Sequence, residues 1–321
     1  MNKKLLFFLC NITIACLPSE PELSVGWCSK SNGRPQEDAF SIDFIQGREW
    51  FGVYDGHRGD QAATYLKDKL CKHFALQLAL TSTKEEAFRS AFKSAEEEVL
   101  KRTKSGSTAV AVYVGKKNMH ISWVGDSRSM VVQDDGNICC VTKDHDLENK
   151  NEWDRVVKAE GLIFREVNPA QNIAGKWRIN TLEMTRSIGD AFAKGKDYHK
   201  PIQYWQAPHR YIKDIPLYAQ QWPDRMLPNG WELNPQEEQV IAEPEYVQVT
   251  LHETNRWLIL ATDGLWNFVK NEAVAHVIKE KASENNSVGS LANILVDVAL
   301  DMGSKDNVTV LVIDLWSRKN K

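Results

Sequence analysis

Short runs of apolar and β-branched residues, five to nine residues long, recur along the chain and predict β-strands. Polar segments separate these runs, and one of them, Asp134-Asp135-Gly136-Asn137, has the composition of a hairpin turn. The predicted strands cover residues 24–29, 39–44, 49–54, 107–114, 119–125, 129–133, 138–142, 245–251, 257–262 and 307–315.

Apolar residues change to helical spacing in four places, two early and two late in the chain. In the second, Thr83-Lys84-Glu85-Glu86 fits a capping box that would begin a helix. In the third, Asn271 is the expected N-cap, and Gly303 is expected to end the fourth. The predicted helices cover residues 61–80, 83–103, 271–282 and 290–302.

The order of these elements predicts the fold class. Strands do not alternate regularly with helices, so a doubly wound parallel sheet is not expected. The pattern favours an α+β fold in which two antiparallel β-sheets are stacked face to face and flanked by helices, an α-β-β-α sandwich. One continuous domain is expected over residues 23–317. Residues 194–240, with six prolines and three tryptophans, are expected to be an insertion that covers a site or only decorates an edge.

The N-terminal segment, residues 1–22, is a separate question. Two lysines precede an apolar stretch of about signal-peptide length that is broken by Asn11 and Thr13. It is either a signal-like leader, a strand or helix that packs on the domain, or an incorrectly assigned start. The stretch is too short to span a bilayer comfortably, so no stable membrane insertion is expected.

Composition narrows the function classes. The 321 residues carry a formal net charge of -3 with a pI near 6.3, which gives no reason to expect a nucleic-acid partner. The six cysteines show no zinc-ligand spacing and no disulfide framework.

Carboxylates stand beside the ends of several predicted strands. Taken singly, each is most often a turn or cap residue. If one end of the sandwich brought them together, their repulsion would be costly unless cations were bound there. Oxygen ligands favour Mg²⁺ or Mn²⁺ over Zn²⁺. The acids are Glu37, Asp38, Asp55, Asp126, Asp263 and Asp306.

The stretch Asp55-Gly56-His57 combines three chemical functions directly after a strand. Asp55 offers a metal ligand, and Gly56 lets the backbone approach a ligand closely. Two ions about 3.5–4 Å apart can activate a water and clamp a phosphoryl group. His57 would then be the general acid that protonates the leaving oxygen.

These residues lie in blocks whose order resembles that of the metal-dependent type 2C Ser/Thr protein phosphatases, over essentially residues 23–315. The blocks are PQEDAF, FGVYDGH, SGSTAV, WVGDSRS, KDHD, TRSIGDAF, ATDGLWNFV and SKDNVTVLVI. The resemblance implies a binuclear Mn²⁺ or Mg²⁺ site between the ends of two sheets. The positions that match metal ligands are Glu37, Asp38, Asp55, Gly56, Asp263 and Asp306, with Asp126 matching a ligand of a third, looser ion.

The resemblance also implies roles for other residues. His57 matches the proposed general acid. Arg186 lies in the block that leads to the flap beside the cleft and is a further candidate catalytic residue. Gly33 stands where the family has its phosphate-binding arginine, so Arg34, one residue later, is the candidate for that role.

Asn267 replaces a carboxylate. Asp126 and Asp263 can still contribute oxygens to a third ion, but with one negative ligand fewer that ion is expected to bind weakly. The alternative is that Asn267 only caps the short segment after Gly264 and touches no metal.

The function expected is hydrolysis of phosphoserine and phosphothreonine, because the core metal-ligand set is complete. The alternative is a catalytically inactive phosphatase fold that serves as a binding scaffold. Phosphoproteins are the expected partners and a monomer the expected state. The cytoplasm or nucleus is the expected location, and secretion or anchoring through residues 1–22 is the alternative.

Overall fold

The computed structural model describes residues 23–159, 163–168, 173–179, 181–194 and 238–317. The N-terminal segment 1–22 and nearly all of the expected insertion at 194–240 lie outside the described residues. No helix within the described residues combines the length and apolar character that a membrane crossing requires.

Fifteen strands and six α-helices lie in these ranges. The strands are β1 (Ser24–Lys30), β2 (Ala39–Ile45), β3 (Arg48–Tyr54), β4 (Gly56–His57), β5 (Gly106–Ser107), β6 (Ala109–Val114), β7 (Asn118–Val124), β8 (Arg128–Gln133), β9 (Ile138–Val141), β10 (Ile163–Asn168), β11 (Ile173–Ile179), β12 (Ile188–Gly189), β13 (Glu245–Thr250), β14 (Asn255–Ala261) and β15 (Val308–Asp314). The helices are α1 (Gln61–Leu78), α2 (Lys84–Arg102), α3 (Lys150–Lys158), α4 (Asp263–Trp266), α5 (Asn271–Ser283) and α6 (Val288–Asp301).

Two five-stranded antiparallel sheets form the centre of the molecule. The first sheet has the strand order β1-β15-β14-β8-β9, and the second sheet has the order β13-β7-β6-β3-β2. The short strands β12, β5 and β4 form a three-stranded sheet, and β10 and β11 form a hairpin. The predicted α+β sandwich is confirmed.

Buried apolar side chains fill the spaces between the four layers of this sandwich, which are a helix pair, two sheets and a second helix pair. Helices α1 and α2 cover the outer face of the second sheet, and their Phe74 and Phe88 rings contact Trp50 of β3. Helices α5 and α6 cover the outer face of the first sheet. Side chains such as Phe51 and Leu311 fill the space between the sheets. Because the central strands are buried on both faces, they appear in the sequence as continuous apolar runs.

Local sequence signals located most element ends. The Thr83 capping box is present, with Glu86 N–H donating to Thr83 and the Glu86 carboxylate accepting from Thr83 N–H. One N-cap and one helix start were predicted incorrectly. Helix α5 has Lys270, not Asn271, as its N-cap, and α6 begins after Ser287, whose hydroxyl accepts from Ser290 N–H. The sequence did not predict α3 or the β10–β11 hairpin.

Candidate functional site

Strand register places Asp38 and Asp55 at one end of the second sheet. Ala39, the first residue of β2, pairs with Tyr54, the last residue of β3. Asp38 precedes the one and Asp55 follows the other, so both lie at the same end of this strand pair. Asp126 lies two residues beyond β7, whose last residue, Val124, pairs with the first residue of β6.

The first sheet presents its acids in the same way. Ala261, at the end of β14, pairs with Val310 near the start of β15. Asp263 follows β14, and Asp306 precedes β15.

Asp38 joins the two sheets at this end. Its Oδ2 accepts hydrogen bonds from the hydroxyl groups of Thr262, at 2.9 Å, and Thr309, at 2.7 Å. Thr309 lies in β15 of the first sheet and Thr262 directly follows β14 of the same sheet, whereas Asp38 directly precedes β2 of the second sheet. The acids of the two sheets therefore approach each other. Sequence reasoning missed both threonines, although each lies within a quoted block.

Glu37 and Gly56 are held at the same end by backbone contacts. The Glu37 N–H donates to Asn307 Oδ1 at 2.8 Å, and Glu37 Oε1 accepts from the Gly59 N–H at 2.6 Å. A Cβ at Gly56 would lie 2.4 Å from the Glu37 carbonyl oxygen, so only glycine fits there.

Several of these acids repel one another where access of solvent is limited. Asp126 is buried, whereas Asp38, Asp55 and Asp263 are partly buried. Burial raises the pKa of Asp55 well above its usual range, and the charges of Asp38 and Asp263 raise it further. Burial also raises the pKa of Asp38 to about 7, although its two threonine hydrogen bonds act in the opposite direction. Burial raises the pKa of Asp126 and of Asp263, and neighbouring carboxylates add to the effect. Ionising this cluster requires positive charge nearby.

The donor set fits divalent cations that prefer oxygen. It consists of carboxylates and backbone carbonyl groups, and Asp126 Oδ1 is buried without a hydrogen-bond partner among the described residues. A different group of side chains within those residues is more tightly clustered. The potential ligand atoms of His145, Glu152 and Glu245 all lie within 4.8 Å of one another. A looser arrangement of acids suits Mg²⁺ or Mn²⁺, since Mg²⁺ keeps several waters and binds through one or two carboxylates.

The group of His145, Glu152 and Glu245 already contains a cation. Arg186 donates to Glu152 Oε1 at 3.0 Å from Nε and at 2.5 Å from Nη2, and its Nη2 lies 3.6 Å from Glu245 Oε1. Glu152 Oε2 accepts from Arg155 at 2.9 Å. Two guanidinium groups therefore provide the positive charge that a metal ion would bring.

The guanidinium of Arg186, a candidate catalytic residue from the sequence, is bound by other residues of the protein. Its guanidinium binds the buried Glu152 and donates to the Glu243 carbonyl at 3.0 Å. Arg186 thus connects α3 to the segment before β13, as a buried structural ion pair.

His57 lies beside the acids with its ring held by a buried partner. Nε2 is 2.7 Å from Asp190 Oδ2, and the Ser187 hydroxyl donates to the same oxygen at 2.7 Å. The other ring nitrogen, Nδ1, has no hydrogen-bond partner within the described residues. Sequence reasoning quoted the block that contains Asp190 without assigning it a role.

Arg34 lies next to the last of the acids. Its Nη1 is 3.6 Å from Asp306 Oδ1, and its side chain is 60% exposed. An exposed guanidinium at this position can reach a phosphate group in solution.

A lysine that sequence reasoning did not consider also reaches the site. Lys176 of β11 places its Nζ 2.8 Å from Asn267 Oδ1 and 3.7 Å from Asp263 Oδ2. Burial would lower the pKa of Lys176, but the charges of Asp126, Asp263 and Glu183 outweigh it and raise that pKa.

Comparison with known proteins agrees with this geometry. The family model described as Protein phosphatase 2C matches residues 43–308. The chain is 29% identical over 316 residues to "Probable protein phosphatase 2C 69" of Arabidopsis thaliana, with 95% of this chain and 73% of that protein covered. It is 25% identical over 290 residues to "Protein phosphatase 1B" of Homo sapiens, with 84% of this chain and 51% of that protein covered.

A solved structure shares the fold. The serine-threonine phosphatase 2C of Toxoplasma gondii has a TM-score of 0.63 and 18% sequence identity, over 91% of this chain and 94% of that one. The family model covers most of the sandwich, including β3, β14 and the strand ends where Asp55, Asp126, Asp263 and Asp306 lie. The chain therefore belongs to the protein phosphatase 2C family of metal-dependent serine/threonine protein phosphatases.

Proposed function

We propose that this protein is an active phosphatase that hydrolyses phosphoserine and phosphothreonine in phosphoproteins with the help of two divalent ions. The observation that carries the proposal is the cluster of buried and partly buried acids at one end of the sandwich, with the exposed Asp306 at its edge. Both sheets contribute to it, and Asp38 links them through Thr262 and Thr309.

The residues proposed to hold Mn²⁺ or Mg²⁺ are Glu37, Asp38, Asp55, Gly56, Asp263 and Asp306. When bound, such ions supply a nucleophilic water near neutral pH and positive charge that offsets the phosphoryl oxygens. The raised pKa values of Asp55 and Asp38 support this assignment, because burial and mutual repulsion disfavour their ionised forms without cations.

Two further side chains act on the substrate itself. Arg34, exposed beside Asp306, binds the phosphate and orients it. His57 donates a proton to the serine or threonine oxygen as it leaves. Asp190 binds Nε2 of His57 and fixes the orientation of the ring.

The test is metal-dependent turnover by the purified full chain. Dephosphorylation of a phosphothreonine peptide should require added Mn²⁺ or Mg²⁺ and stop in excess chelator. Asp55→Asn and Asp263→Asn should each abolish turnover while leaving the circular dichroism spectrum unchanged. Asp134→Asn is the matched control, because Asp134 is exposed and pairs with Arg256 instead.

The outcomes separate an enzyme from an inactive scaffold. Full activity in excess chelator would contradict the metal-dependent mechanism. No turnover at any metal concentration, in a protein that is folded and binds phosphopeptides, would favour the scaffold.

A further inference from the structure

The ammonium group of Lys176 lies where three oxygen-bearing side chains converge. Its Nζ is 2.8 Å from Asn267 Oδ1, 3.0 Å from Glu183 Oε2 and 3.7 Å from Asp263 Oδ2. Lys176 belongs to the β10–β11 hairpin, whereas Asp263 begins helix α4 of the sandwich and Asn267 directly follows that helix. The ammonium therefore connects the hairpin to the acidic cluster.

Asn267 fits a lysine better than a metal ion at this place. Its Nδ2 donates to Asp263 Oδ2 at 2.6 Å, while its Oδ1 accepts from Lys176. The amide thus satisfies a carboxylate on one side and an ammonium on the other. A carboxylate at 267 would instead repel Asp263 and require additional positive charge between them.

Asp126 gives this group a second acid. It is 5% exposed, and its Oδ1 has no hydrogen-bond partner among the described residues. The charges of Asp126 and Asp263 both raise the pKa of Lys176. These are the two acids expected from the sequence to share a third divalent ion.

Glu183 holds the lysine from the hairpin side. Its Oε2 accepts from Lys176, and its Oε1 accepts from Arg178 at 2.6 Å. Lys176 therefore has the Glu183 carboxylate beside it on the hairpin side and the Asp263 carboxylate beside it in the site. Both fix the position of its ammonium group.

We propose that the Lys176 ammonium takes the place of the third divalent ion between Asp126 and Asp263, so that the protein binds two divalent ions and not three. The inference rests on the proposed function for the identity of the first two ions. It also goes beyond the expectation of a weakly bound third ion, because it names the group that excludes that ion.

A tethered cation has a definite consequence for metal titrations. The Lys176 ammonium is present at every metal concentration, so the number of divalent ions bound per protein should stop rising at two. Replacing Asn267 alone should not create a third site, since a new carboxylate would pair with Lys176. Removing the lysine and restoring the carboxylate together should create one.

The experiment counts bound Mn²⁺ directly, by isothermal titration calorimetry and by electron paramagnetic resonance of free Mn²⁺, on the metal-free full chain. Wild type and Asn267→Asp should each bind two ions. Lys176→Met/Asn267→Asp should bind three, with the third at least about tenfold tighter than any additional binding to wild type. Lys176→Gln/Asn267→Asp provides a second form of the double variant if the first unfolds.

Lys150→Met is the control for loss of a lysine charge, because Lys150 is exposed on α3 and pairs with Asp154. It should leave the count at two. Three ions on wild type, three on Asn267→Asp alone, or two on both double variants would overturn the Lys176 assignment and leave the proposed function intact. Failure of every variant to bind Mn²⁺ would overturn both proposals.

Discussion

Nε2 of His57 lies 2.7 Å from Oδ2 of Asp190, a carboxylate with no exposed surface. Asp190 has a left-handed backbone conformation, with φ of 55°, and a Cβ at Gly106 would lie 2.1 Å from the same oxygen. The carboxylate therefore has little room to move. It holds Nε2 of the imidazole and fixes the orientation of the ring.

His57→Ala should reduce turnover most for substrates with poor leaving groups. An alkyl phosphate needs a proton on the departing oxygen, and general-acid catalysis is typically worth about 10²–10⁴-fold. An aryl phosphate releases a phenolate that leaves without this help. Comparing kcat for the two substrates provides the measurement, and equal losses on both would indicate that His57 is structural.

Asp190→Asn should show the same dependence on the leaving group at smaller amplitude, about 10–100-fold on the alkyl phosphate. The amide keeps the shape of the carboxylate but loses the charge that orients the imidazole. Mn²⁺ affinity, measured by calorimetry, should remain unchanged because Asp190 is not among the proposed ligands. A large loss of Mn²⁺ affinity would argue that Asp190 acts on the metal site.

Thr309→Val should weaken Mn²⁺ binding and lower the free energy of unfolding by about 1–2 kcal/mol, because Asp38 loses a hydrogen bond in a buried position. Calorimetry and urea unfolding provide the two measurements. Ser29→Ala is the matched control. The Ser29 hydroxyl is 2.8 Å from Thr309 Oγ1, so this change leaves the contact between Thr309 and Asp38 in place. Equal effects of the two substitutions would contradict the assigned role of Thr309.

Glu152→Gln should destabilise the protein most above pH 4.5. Burial would raise the pKa of Glu152, but the hydrogen bond from Arg186 and the charges of Arg155 and Arg186 outweigh it and lower that pKa to about 2. A lowered pKa in the folded state contributes stability that is fully present above the unfolded value of 4.5 and is lost as the pH falls towards 2.

The measurement is urea unfolding of wild type and Glu152→Gln between pH 6 and pH 3. The difference in their free energies of unfolding should be about 3 kcal/mol at pH 6 and should fall by about 2 kcal/mol at pH 3. Glu253→Gln, at an exposed position, should change little. A difference that does not depend on pH would show that packing, not charge, makes Glu152 stabilising.

Asn307 bears on the compartment in which the protein works. It begins the sequon Asn307-Val308-Thr309, yet it is 5% exposed and its Oδ1 accepts from the Glu37 N–H. A glycan on this amide would disrupt the site, so we propose the cytoplasm or nucleus. Mass spectrometry of protein from its native cells should find Asn307 unmodified and Met1 in place. A mature chain that starts near Cys16 or Leu17 would contradict this.

The sequence by itself determined the ten strands of the two five-stranded sheets, the fold class and the acids at the strand ends. Each of these depends on short-range chemistry. Apolar runs indicate buried strands, and the Thr83 capping box is formed by residues three apart. An acid next to a strand end remains at that end whatever the order of the strands. Metal-site residues could therefore be predicted before the sheets were assembled, since both sheets place their acids at the same end.

Tertiary structure alone decided which charges meet. Arg186 is near the predicted flap in sequence, but Glu152, 34 residues earlier, holds its guanidinium. Lys176 reaches Asn267 across 91 positions, from a hairpin that no local signal predicted. The physical reason is that a charged side chain is positioned by the partner that compensates for its desolvation, and that partner is brought close only by the folding of distant segments.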